Sequence, residues 1–73
     1  MKQIKIEQLL PLLKSGWVAM DKDGTWCWFS QKPNVEDMGW LWVGVVRFLD
    51  PFNIKRVRNW KDSLIKVGHK EEQ

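Results

Sequence analysis

Trp17-Val18-Ala19-Met20-Asp21-Lys22-Asp23-Gly24-Thr25-Trp26-Cys27-Trp28-Phe29 is the stretch that decides how this chain folds. Two runs of aromatic and other apolar residues flank Asp-Lys-Asp-Gly-Thr, which is the pattern of two strands joined by a tight turn. Asp21 starts a type I turn, Lys22 and Asp23 take right-handed or bridge angles, and Gly24 takes the positive φ of a bulge. The loop is then three residues long, and Asp21 pairs with Thr25. That register predicts Val18, Met20, Trp26 and Trp28 on one face and Trp17, Ala19, Cys27 and Phe29 on the other. A two-residue Asp-Gly loop would pair Lys22 with Thr25 and set Val18 and Met20 with Cys27 and Phe29. The three-residue loop is preferred because it needs a positive φ only at glycine.

Working outward, residues 31–38 read as a polar connection, and Gly39 to Phe48 as a third strand. Trp40 and Trp42 would share one of its faces, and Leu41, Val43 and Val45 the other. Upstream, apolar residues at 6, 9, 10 and 13 form one face of a short helix over about 7–14. Pro11 falls in its first turn, Lys14 suits its C-terminal end, and Gly16 supplies a left-handed stop. Downstream, Asp50-Pro51 breaks the chain, and alternation from Ile54 to Arg58 suits a short fourth strand. Asn59 then caps a last helix, with Asp62 in the capping-box position, Trp60, Leu64 and Val67 on its apolar face, and Gly68 at its end. The expected fold is a small α+β domain over residues 1–73, with ends about 1–4 and 69–73 frayed. Its core is a three-stranded antiparallel meander (about 17–21, 25–30 and 39–47) packed against an N-terminal and a C-terminal helix. Both faces of strands two and three are apolar, and two short helices cover only one.

Six tryptophans in 73 residues, with no tyrosine, dominate the composition. So small a domain needs most of that apolar area in its core. Trp26/Trp28 and Trp40/Trp42 have the i, i+2 spacing that puts both rings on one strand face. Indoles are also common anchors of protein interfaces, which makes these four the candidate contact residues if their face is uncovered. The net charge is +3, and between Arg47 and Lys61 five cations meet Asp50 alone. Lys55, Arg56, Arg58 and Lys61 are therefore the candidate nucleic-acid contacts. The aromatic strands themselves lack basic residues, which argues against a base-stacking platform.

Little in the chain resembles catalytic chemistry. The lone histidine, His69, lies in the tail. Cys27 sits mid-strand beside two tryptophans, as an inert buried thiol does, and no third orienting group accompanies the pair. Asp21 and Asp23 precede a glycine as in a calcium loop, but Ala19 occupies the preceding ligand position and no bidentate carboxylate follows. No metal, no cofactor and no enzymatic activity are expected. A single cysteine excludes an intramolecular disulfide and, without an apolar leader, points to a reducing cytoplasm. The longest apolar run, Gly39 to Val46, is too short to span a bilayer.

The Trp17–Phe29 stretch, followed by Lys32-Pro33, resembles a group of small bacteriophage and prophage-encoded proteins. Leu9-Leu10-Pro11-Leu12-Leu13-Lys14-Ser15-Gly16 and Asn59-Trp60-Lys61-Asp62-Ser63-Leu64 belong to the same pattern. The resemblance covers most of the chain and implies an accessory protein of a mobile element, acting in the cytoplasm of a bacterial host. It carries over no catalytic or binding residues. The hairpin alone is also similar to one unit of WG-type β repeats, which couple Asp-x-x-Gly turns to a following tryptophan, but one unit cannot build an array. The expected function is a non-enzymatic interaction module that engages a host or phage protein, or a second copy of itself, through a Trp-rich sheet surface. The alternative is a nucleic-acid-binding accessory protein using 55–61.

Overall fold

The computed structural model describes residues 3–49 and 52–68, and at its centre the Asp-Lys-Asp-Gly-Thr turn joins β1 (Gly16–Met20) to β2 (Trp26–Phe29). Asp21 N–H donates to the Thr25 carbonyl (2.8 Å), Gly24 N–H donates to the Asp21 carbonyl (2.9 Å), and Gly24 has φ +94°. Val18 stands opposite Trp28 and Met20 opposite Trp26, so the three-residue loop and its register are those expected. The Asp23 carboxylate accepts the Thr25 N–H at 3.0 Å and fixes the turn from its side.

Two further strands complete an antiparallel sheet in the order β5-β2-β1-β6, where β5 is Val46–Phe48 and β6 is Ile65–Val67. A separate hairpin pairs β3 (Asn34–Glu36) with β4 (Gly39–Leu41). The only α-helix among the described residues is α1 (Ile6–Leu9), continued by a 3₁₀ turn at Leu10–Leu12. The protein is thus mostly β with some helix. Six departures separate it from the expected meander and helices, the first being that 34–36, read as part of a polar connection, forms β3.

The long strand expected over 39–47 is broken. The chain leaves β4 after Leu41, turns at Gly44 (φ +83°) and re-enters the sheet only at Val46. Cover is the cause. Both faces of the β1–β2 hairpin are apolar, and bending the chain at Gly44 lets 34–42 fold over the face that helices cannot reach.

At the C-terminal end, Trp60–Asp62 makes a single 3₁₀ turn rather than a helix, and Ile65–Val67 forms a strand on β1. Trp60, Leu64 and Val67 match a helical stripe, but Ile65-Lys66-Val67 also alternates with period two. The free edge of β1 selects the second pattern, and β-branched residues favour it. Asn59 still caps its turn: its side-chain oxygen accepts Lys61 N–H (3.1 Å) and its amide donates to Asp62 (3.0 Å). Gly68 follows a strand, not a helix.

Three smaller corrections concern the flanks. The α-helix stops at Leu9, so Pro11 lies beyond it in the 3₁₀ turn, where its missing N–H leaves no helical bond unmade. Gly16 is no left-handed stop; it opens β1 in extended conformation. The expected strand at 54–58 reduces to one bridge, in which Ile54 lies parallel to Ile4. Ile4 N–H donates to the Asn53 carbonyl (2.9 Å) and the Ile4 carbonyl accepts from Lys55 N–H (2.7 Å), although Ile4 falls in the stretch expected to fray. Asp50, Pro51, His69 and the rest of the tail lie outside the described residues.

The sheet consequently separates two cores. On one face Val18, Met20 and Trp26 pack with Ile6, Leu9, Leu49, Ile54 and Val67, with Trp28 partly buried among them. On the other face Ala19, Cys27 and Phe29 pack against Trp40, with Trp17, Val46, Trp60 and Leu64 at the margin. One polar side chain joins the layers. Buried Ser63 accepts the Met20 N–H (2.7 Å) and its hydroxyl lies 2.6 Å from the Trp60 carbonyl, so it completes the edge of β1 just beyond β6.

Candidate interaction surface

The four candidate tryptophans have separate fates. Trp26 is buried under α1, and its indole N–H donates to the Lys55 carbonyl (3.2 Å). Trp28 is half-buried on the same face and donates to the Lys14 carbonyl (3.0 Å). Trp40 is buried on the opposite face, where its indole donates to the Met20 carbonyl (3.0 Å) and meets Trp60 edge-on at 6.3 Å. Trp42 leans on Phe29, ring centroids 5.8 Å apart, and is the exposed member of the set at 41%. Trp26 and Trp40 are therefore core and not available as contact residues, while Trp42 is.

Trp42 belongs to a longer apolar strip. Leu41, Trp42, Val43, Val45 and Phe48 are all exposed, and they lead onto the free edge of β5. Antiparallel pairing makes alternate residues of an edge strand bond inward. The Val45 carbonyl accepts Ser30 N–H (3.0 Å), Val45 N–H donates to the Ser30 hydroxyl (2.9 Å), and Leu49 N–H donates to the Trp26 carbonyl (2.9 Å). Arg47 stands opposite Trp28 in the same phase. The backbone groups of Val46 and Phe48 therefore point away from the sheet.

A groove of about 540 Å³ runs beside this edge, on the α1 side of the sheet. Trp28, Val45 and Leu49 contribute from the sheet, Leu12 and Leu13 from the 3₁₀ turn, and Phe52 from the chain beyond β5. Leu12 is 78% and Phe48 62% exposed. Lys14 and Arg47 are the charged residues lining it, and no acidic residue lines it among the described residues. Sequence reasoning missed this site because Leu12 lies off the 6-9-10-13 stripe and Phe52 falls between the expected third and fourth strands. An apolar residue off the buried face of a helix, beside a proline, was the available signal.

The four candidate phosphate contacts, Lys55, Arg56, Arg58 and Lys61, are all exposed. Arg56 folds back against the Gly24 backbone, and Lys61 lies over the Trp60 ring at 5.7 Å. The Asp23 carboxyl is held below its ordinary range, first by the Thr25 backbone N–H, then by the Thr25 side chain, with the nearby Arg56 charge assisting. Two cations absent from the expected set flank Trp17 on the Trp40 side of the sheet: Lys32 at 5.7 Å and Lys66 at 5.8 Å. Both distances are within cation–π range.

Cys27 is a buried thiol within the Trp40 cluster, outside any disulfide. Among the described residues no group of three or more His, Cys, Asp or Glu side chains is placed to hold a metal ion, and no helix is long and apolar enough to cross a membrane. No family model, no curated protein and no solved structure matches this chain.

Proposed function

We propose that this chain is a non-enzymatic protein-interaction module, of the accessory kind found in bacteriophage and prophage, acting in the cytoplasm of a bacterial host. The observation that carries the reading is the set of exposed apolar residues from Leu41 to Phe48 beside a sheet edge that no strand pairs among the described residues. Exposed apolar side chains gathered along both faces of one sheet edge mark a site of contact with another molecule. Trp42 is its indole anchor, held by Phe29 so that little side-chain freedom is lost on contact. The partner is a host or phage protein.

The test is cross-linked capture from a bacterial lysate, with Trp42→Ser/Phe48→Ser as the comparison bait. A protein retained by the parent and lost by the double variant, with unchanged unfolding curves, is the expected result. Equal recovery by both baits would remove the strip from the function.

A second reading, nucleic-acid binding, is favoured by one observation: Lys32 and Lys66 on Trp17, with Lys61 on Trp60, interleave cations and indoles on the Trp40 side. Titration with single- and double-stranded DNA at two salt concentrations separates the readings. Phosphate contacts bind most tightly at low salt, so absence of binding there would eliminate this one.

A further inference from the structure

We infer that the β5 edge is a receptor for an extended, acid-bearing peptide segment of another protein, which adds as a fifth strand and seats alternate side chains in the groove along α1. The inference rests on the interaction-module reading and names the chemistry of the partner. Three independent features converge on it.

The first is backbone. Val46 and Phe48 turn their N–H and C=O groups outward, because Val45 spends both of its groups on Ser30 and Leu49 its N–H on Trp26. Edges closed to partners are blocked by charge or covered by another element; β5 is short and carries Arg47, but among the described residues no strand pairs with its outer side and its neighbours are exposed and apolar. Main-chain hydrogen bonds supply the affinity in strand addition, and pockets for alternate side chains supply the selectivity.

The second is shape. A strand laid against β5 points every other side chain to the α1 side, where Leu12, Phe52, Val45 and the Trp28 ring line about 540 Å³ of groove. Its intervening side chains fall beside Val46 and Phe48, on the face where Trp42 leans on Phe29. Both sets of positions meet apolar surface, so the added strand carries apolar residues on the groove side and tolerates them on the other.

The third is charge. Arg47 lies at the middle of β5 on the groove side, and Lys14 lines the same groove. A residue directly opposite Arg47 in the added strand is a cross-strand neighbour, where an opposite charge stabilises and a like charge destabilises. The preferred segment is therefore apolar, acidic, apolar at alternate positions, with the acid facing Arg47. The same geometry counts against a second copy in the register that centres β5 on itself, since Arg47 would face its own symmetry mate.

The probe is the nonapeptide Val-Thr-Val-Thr-Glu-Thr-Val-Thr-Val, followed by calorimetry and by hydrogen exchange of individual backbone amides. Binding is expected to protect the Val46 and Phe48 N–H groups, which exchange freely before it. Replacing the central Glu by Lys is expected to weaken binding about tenfold or more, and Arg47→Glu is expected to reverse that preference. N-methylation of the Thr amides, which face Val46 and Phe48, abolishes binding by a strand but not by simple apolar contact. Phe48→Pro, which removes an outward N–H and leaves the β2 pairing intact, is expected to abolish it as well. Arg47→Glu keeps the test decisive if the proline variant fails to fold.

Equal binding of the Glu and Lys peptides, or binding without protection of Val46 and Phe48, overturns the inference. So does a dimer that protects those two amides and excludes the peptide, which would assign the edge to a second copy. If the peptide fails while lysate capture still depends on Trp42 and Phe48, the strand-receptor inference falls and the interaction module stands. If capture is also independent of them, both fall.

Discussion

In β2 the chain stays extended through Trp26 and Trp28, held between β1 and β5, and both indoles point to the α1 side of the sheet. Trp40 and Trp42 have the same spacing in sequence. There, however, the chain quits β4 after Leu41, so no ladder holds the second indole, and Trp40 is buried while Trp42 is exposed. Trp40 closes the opposite face of the sheet by donating to the Met20 carbonyl, and Trp42 leans on Phe29. Equal spacing thus yields one core and one half-buried indole on the same face in one region, and one core indole plus one surface anchor in the other. What differs is whether neighbouring strands exist on both sides to hold the chain straight.

The sharpest way to break this contrast is by truncating the indoles. Trp26→Ala and Trp40→Ala are each expected to cost about 3–5 kcal/mol, enough to unfold much of so small a domain, as burial of a large aromatic implies. Trp42→Ala is expected to cost no more than about 1 kcal/mol. Urea unfolding of the three variants decides it, and a Trp42 variant as unstable as the Trp40 one would make the second pair equivalent to the first. Next comes Ser63, whose hydroxyl holds the Met20 N–H at the point where Trp40 also docks. Ser63→Ala leaves that buried donor unpaired and is expected to cost about 1–3 kcal/mol. An unchanged midpoint would mean that another group satisfies Met20.

The bend itself can be tested at Gly44. A Cβ there would sit 2.7 Å from the Ser30 hydroxyl and require a strained left-handed backbone. Gly44→Ala is expected to cost about 1–2 kcal/mol, measured in the same unfolding assay. A neutral result would show that the chain can pass straight from β4 to β5. The smallest effect concerns the turn that makes the first pair regular. Asp23 is ionised more readily folded than unfolded, so its contribution is complete above the unfolded value of about 3.9 and is lost as pH falls through the lower folded value. Asp23→Asn should therefore narrow its stability gap from the parent between about pH 5 and pH 2. A gap that stays constant with pH would remove the carboxylate's charge from the turn.

Much of the first region was legible in sequence. Asp21, Gly24 and Thr25 specify a turn by local chemistry, and the turn sets the register of Val18, Met20, Trp26 and Trp28. The Ile6, Leu9, Leu10, Leu13 face was also legible, although the helix it belongs to is shorter than expected. The β6 strand was not, because Trp60, Leu64 and Val67 fit period 3.6 while Ile65-Lys66-Val67 fits period two. Short apolar segments satisfy both periods, and only a vacant edge on β1 chooses between them. The groove was hidden for a related reason: Leu12, Trp28 and Phe52 are distant in sequence and meet only once the Lys14 carbonyl takes the Trp28 indole and β5 returns to β2.

The sequence by itself therefore determined the hairpin from Trp17 to Phe29, its loop length and the assignment of its side chains to two apolar faces. These follow from backbone preferences of residues within a few positions of one another. Tertiary structure alone decided what covers the second face, which segments flank the hairpin, and which tryptophan remains at the surface. Each of those outcomes is a competition among distant segments for the same edge or face, as when Ser63 reaches across 43 positions to Met20. Such competitions are resolved by the burial and hydrogen bonds available once the hairpin exists, and no local pattern records the result.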